Sequence, residues 1–147
     1  MKIDISVLEI NIEKELVNNE QKGLWEIYRF NAKLNRNEIG HITVDRLVEA
    51  YDKKLLKEKF FFDLKSKPKK PIPYLFAMQV DEEYQRNGIA SLLIENANEY
   101  FKKNEGISLY SGTLNRKETS EKVWDKFVRE GKAIQTKYKK EKRWIML

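Results

Sequence analysis

The chain has no cysteine, one histidine, three prolines and six glycines in 147 residues. Without cysteine there are no disulfides, no thiolate metal sites and no cysteine nucleophile. No apolar run approaches the length of a membrane span, and Met1-Lys2-Ile3-Asp4 does not begin a secretory signal. A cytoplasmic protein with no membrane contact is therefore expected. Internal repeats and low-complexity linkers are also lacking, and one domain over residues 1–147 is expected.

A hydrophobic fraction of 41% with 12% aromatics is that of a folded globular chain. The formal charge of +6 comes mainly from residues 53–70, "KKLLKEKFFFDLKSKPKK", and residues 137–144, "KYKKEKRW". Such a balance suits polyanionic partners: nucleic acid, a phosphate-bearing cofactor or an acidic protein surface. A solvated lysine-rich surface is the plainer reading of the same residues.

Apolar alternation predicts a strand over residues 1–12, and residues 12–23 read as a short helix ending near Gly23. Residues 24–34 and 38–44, joined by a polar link, read as a hairpin. Leu47, Val48, Tyr51, Leu55 and Leu56 predict a helix over residues 45–60, capped by Asp45. "PYLFAMQV", residues 73–80, is nearly continuous in apolar character and suits a strand buried on both faces. Ile89, Leu92, Leu93, Ala97, Tyr100 and Phe101 lie on one face of a helix running to about Asn104. A strand over 107–112, a helix over 116–130 with Val123, Trp124, Phe127 and Val128 as its apolar face, and two closing strands complete the chain. The strand–helix–strand unit in the middle requires a parallel pair. The fold class expected is α/β (α+β layered): a mixed, largely antiparallel sheet with a central parallel strand pair and flanking helices.

Between the central strand and its helix stands "QRNGIA", residues 85–90. A helix N-terminus presents unpaired N–H groups and positive potential, which together attract anions. Gly88, lacking a Cβ, lets a ligand approach, Ala90 is small, and Arg86 adds a charge. An ordinary structural turn is the competing reading. The G-x-G-x-x-G and Gly-Lys-Ser/Thr fingerprints are both missing, so NAD and ATP are poor candidates.

"MQVDEEYQRNGIASLLIENANEYF" resembles the signature of the GNAT superfamily of N-acetyltransferases, Q/R-x-x-G-x-G/A, with Gln85, Gly88 and Ala90 in place. "LYSGTLNRKETSEKVWDKFVREGKA" is similar to that family's second cofactor segment. The likeness runs from about Leu24 to the C-terminus and is most specific over residues 78–93. It implies acetyl-CoA as co-substrate and no metal. The N–H groups of Arg86, Asn87, Gly88, Ile89, Ala90 and Ser91 would hold the pyrophosphate. The backbone of Met78 and Val80 would pair with the pantetheine arm, and Asn115 would bond the same arm or cap the following helix with Glu118. The acetyl group would sit near residues 76–78 and Tyr110.

Acyl transfer to an amine requires a proton acceptor, oxyanion stabilisation and a donor for the thiolate. With no cysteine, the implied route is direct attack in a ternary complex, the Met78 N–H polarising the thioester carbonyl. The central strand carries no carboxylate. His41 is a candidate base, with Glu38 and Tyr74 behind it, or the proton goes to water. Phe127 stands where the family often has a tyrosine as acid, which leaves Trp124, Tyr110, Tyr138 or unassisted departure. The amine-bearing acceptor, small molecule or protein, is not named by the sequence, and neither is monomer against homodimer. A nucleic-acid- or protein-binding module using residues 53–70, with this fold but without efficient turnover, is the alternative.

Overall fold

The computed structural model describes residues 2–52, 71–112, 117–138 and 140–147. Strands β1 (Glu9–Asn19), β2 (Gly23–Leu34) and β3 (Asn37–Ala50) form an antiparallel meander. Next come β4 (Tyr74–Val80), helix α1 (Ile89–Glu105), β5 (Tyr110–Gly112), helix α2 (Lys117–Arg129) and the hairpin β6 (Ala133–Tyr138) and β7 (Glu141–Met146). One seven-stranded sheet results, in the order β1-β2-β3-β4-β5-β7-β6. The pair β4–β5 is parallel and all others are antiparallel, as the strand–helix–strand unit demands.

The core lies between the sheet and α1. Leu93, Ile94, Ala97 and Phe101 form one helical stripe, fully buried against Tyr28 and Phe30 of β2 and Ile42 and Val44 of β3. Tyr28 and Phe101 meet edge to face at 4.9 Å, and Phe30 meets Tyr100 at 5.9 Å. Each such side chain contributes about 1.5–3 kcal/mol of burial. On α2, Trp124 and Phe127 turn inward, and Trp124 stacks on Trp144 of β7 at 6.0 Å. Val128, expected on that face, is exposed.

Two buried polar side chains tie the layers together. Asn98 of α1 accepts from the Leu109 N–H at 2.9 Å and donates to the Leu147 carbonyl at 3.2 Å. Arg46 of β3 donates to the Pro71 carbonyl and to Glu26 of β2, and stands over the Phe101 ring. A buried charge is tolerated only with such partners.

Four expectations are corrected. Residues 5–7 form a 3-10 turn, Asp4 accepting the Ser6 N–H, and the strand expected over residues 1–12 begins only at Glu9. Residues 12–19 are strand rather than helix: Glu, Lys and Leu favour a helix only weakly, and β1 gains a full ladder along β2. Asn19 makes the hairpin by accepting the N–H groups of Gln21 and Lys22. Residues 45–50 continue β3 rather than starting a helix. A bulge inserts Val48 between the pairs Trp25–Leu47 and Leu24–Glu49, and the broken alternation imitates helical spacing. The remainder of that predicted helix lies outside the described residues. Finally, β4 is not buried on both faces, since Phe76 is 55% exposed.

The β2–β3 bulge leaves no room at Gly23, where a Cβ would meet the Glu49 carbonyl oxygen and lie 2.8 Å from Leu47 Cδ1. Gly23→Ala is expected to destabilise the fold by about 1–3 kcal/mol in denaturant titration. An unchanged midpoint would contradict a strand at residues 45–50.

Candidate active site

Strand β4 serves two neighbours with opposite alternation. The Tyr110 N–H donates to the Pro73 carbonyl, so residues 73 and 75 turn their backbone groups to β5. The Asp81 N–H donates to the Ile39 carbonyl, so residues 77, 79 and 81 turn theirs to β3. The switch is a bulge that inserts Phe76 between the pairs Val44–Leu75 and Thr43–Ala77. Met78 and Val80 therefore direct N–H and C=O away from β3. The β4–β5 ladder holds only Tyr74–Tyr110 and Leu75–Ser111, and no described strand lies along that edge beyond it. A peptide-like ligand could add there as a strand does.

The chain then turns. A 3-10 segment, Glu82–Tyr84, leads to Gln85, whose Nε2 donates to the Val80 carbonyl at 3.1 Å. Arg86 and Gly88 both have positive φ, 66° and 81°. Asn87 locks the turn, its Nδ2 donating to the Tyr84 carbonyl at 2.8 Å while its Oδ1 accepts the Ile3 N–H at 3.0 Å. A Cβ on Gly88 would meet nothing within 4 Å, so the glycine is required by its left-handed backbone, and the space above it is open. The first N–H of α1 with an intrahelical acceptor is that of Leu92, bonded to the Gly88 carbonyl. Gly88 supplies no capping side chain, and the first turn of α1 holds no acid. The turn presents a row of backbone donors without a carboxylate to compete for an anion.

A cleft of about 600 Å³ runs from the open edge of β4 to this turn. Met78, Val80, Gln85, Arg86, Gly88, Ile89, Ala90 and Ser91 all line it, so most of the residues singled out in the sequence come together. Asn87 does not line it and acts as the fastener of the turn. Asn115 and the lysines of residues 53–70 lie outside the described residues. A second wall comes from α2 through Ser120, Lys122, Val123 and Lys126, none of which the sequence reading assigned to a site. Lys122 and Lys126 are four apart and so share a side of the helix, a signal that was present but not tied to this cleft.

The proton-transfer candidates fall elsewhere. His41 lies on β3 between Asn31 and Gln79, with Nδ1 3.2 Å from Arg29 Nη2 and 3.5 Å from Glu38 Oε2. Arginine has no acceptor, so Arg29 bonds His41 only when Nδ1 carries no proton. Glu38 accepts from Arg29 at 2.8 Å. Neither lines the cleft. Tyr110 packs with Leu47, Ile72 and Ile145 in a small separate cluster. Phe127 and Trp124 are both fully buried and absent from the lining, which carries its hydroxyls on Tyr84, Ser91 and Ser120. Tyr138 has no described side chain.

A profile of the acetyltransferase (GNAT) family matches residues 15–127. The chain belongs to that family. Among solved structures, the GNAT chain is similar to NAA60 of Arabidopsis thaliana in complex with acetyl-CoA: 15% identity, TM-score 0.50, 81% of this chain and 74% of that one. It is also similar to an acetyltransferase of Bacillus subtilis in complex with CoA: 14% identity, TM-score 0.50, 95% of this chain and 99% of that one. At these identities the likeness carries the fold. No curated protein matches the sequence.

Burial raises the phenols of Tyr74 and Tyr110 above their ordinary value of 10.0, with Arg143 partly opposing the shift at Tyr74. Both stay protonated at neutral pH and are donors rather than bases. The folded chain keeps these protons to higher pH than the unfolded chain, so this contribution to stability is intact below about pH 10 and lost as pH rises through the folded-state values. Denaturation midpoints should fall above about pH 10, and less steeply in the variant with Tyr74→Phe and Tyr110→Phe. Equal slopes in both proteins would exclude these tyrosines as the source.

Proposed function

We propose that the protein transfers an acetyl group from acetyl-CoA to an amine acceptor by direct attack in a ternary complex. The observation that carries this reading is the continuity of the open β4 edge with the uncapped turn at Gly88, in a chain of the acetyltransferase family. Pyrophosphate would lie on the N–H groups of residues 86–91. The pantetheine amides would bond the backbone of Met78 and Val80, the Val80 carbonyl sharing its second lone pair while Gln85 holds the first. The thioester would then reach the point where β4 and β5 part.

There the Met78 N–H would polarise the thioester carbonyl. The amine nitrogen attacks the carbonyl carbon, the new N–C bond forms, and the C–S bond breaks to release the thiolate. No carboxylate or imidazole lines the cleft among the described residues, so the amine's proton would pass to water. Ser120, a buried hydroxyl in the α2 wall of the cleft, would hydrogen bond the departing sulfur in place of the family's tyrosine.

Calorimetric titration with acetyl-CoA, with ATP and NADH as controls, tests the reading directly. Micromolar binding of acetyl-CoA alone is expected, together with thiol release when a panel of amines is added. Gly88→Ala should lose about 1–2 kcal/mol of stability through its left-handed φ, with no steric clash. Gly88→Glu should abolish binding by setting a carboxylate against the pyrophosphate. Full acetyl-CoA affinity in the folded Gly88→Glu protein would overturn the assignment.

A further inference from the structure

Three cationic side chains line the cleft: Arg86 on the turn, and Lys122 and Lys126 on α2. Three other cations in this half of the molecule meet carboxylates: Lys132 pairs with Glu95, Lys142 with Glu121 and Arg143 with Glu141. Among the described residues, the side chains of Arg86, Lys122 and Lys126 have no ion pair or hydrogen-bond partner. Glu82 and Glu83, on the segment before the turn, do not line the cleft. The cleft therefore holds more positive charge than its own acids neutralise.

The turn and Arg86 suffice for a pyrophosphate, whose oxygens can be met by backbone N–H groups and one guanidinium. That leaves the two lysines of α2 in a different element of the same cleft. At a spacing of four residues their side chains project from one side of the helix, about 5–6 Å apart at their bases. Two flexible point charges that close together suit a terminal phosphate monoester, which presents three oxygens and carries nearly two charges at neutral pH.

We propose that Lys122 and Lys126 form a second anion site that takes the 3′-phosphate of coenzyme A. The cleft then selects free acyl-CoA over donors that lack that group, namely 3′-dephospho-CoA and phosphopantetheine borne on a carrier protein. The inference rests on the acetyl-CoA reading of the cleft and assigns these lysines to the donor rather than to an anionic acceptor.

The test titrates CoA and 3′-dephospho-CoA into the wild-type protein and into the double variant with Lys122→Gln and Lys126→Gln, at low salt. Both lysines are exposed, so the variant is expected to keep its fold, checked by an unchanged denaturation midpoint. The wild type should prefer CoA by about tenfold, and the preference should shrink as salt is raised. The double variant should bind both compounds as the wild type binds 3′-dephospho-CoA. Equal wild-type affinity for the two compounds would overturn the second site while leaving the acetyl-CoA reading intact. An equal loss for both compounds in the variant would also overturn it, placing the lysines on the pyrophosphate. Binding of neither compound by the wild type would remove the acetyl-CoA reading and this inference with it.

Discussion

The site depends on one extra residue in the middle strand. Phe76 interrupts the alternation of β4, so that the strand serves β5 with one set of backbone groups and, after the bulge, β3 with the other. A regular strand in the same place would turn Ala77 and Gln79 to the opening and commit Met78 and Val80 to β3. The bulge therefore does two things at once. It ends the parallel ladder after two pairs, and it gives the vacated edge donors and acceptors in a known order.

The surroundings hold that edge still. The buried stripe of α1 fixes the helix on the sheet, and the first turn of the helix arrives next to the end of β4 as a result. Asn98 bonds the start of β5 and the last carbonyl of the chain from the same helix, so β5 and the closing hairpin are positioned from α1 as well. The stacked pair Trp124 and Trp144 brings α2 down on β7 and sets Ser120 and Val123 along the opening. The Gly88 turn, strand edge and second wall are thus referred to a common core.

What was legible in the sequence was local. Gly88 marked a turn that needs a positive φ, and the spacing from Ile89 to Phe101 marked a buried helical face. Signals that depend on distant partners were not legible. Residues 12–19 carry helix-favouring side chains, yet the ladder offered by β2 decides their conformation. The bulge at Val48 scrambled the period of β3 and counterfeited a helix. His41 looked suited to proton transfer by its type alone, whereas its Arg29 and Glu38 neighbours depend on the register of β2 with β3. The α2 wall of the cleft escaped notice because its residues approach β4 only through the packing of two tryptophans.

Asn87 joins the turn to the beginning of the chain through the backbone N–H of Ile3. A bond to the main chain is indifferent to the side chain that accompanies it. Every residue type except proline can supply that N–H, so substitutions at position 3 leave the link in place. Removing or rerouting the segment breaks it. The coupling between the first residues and the Gly88 turn is therefore hidden from any comparison of amino-acid identities, and is written in the path of the backbone.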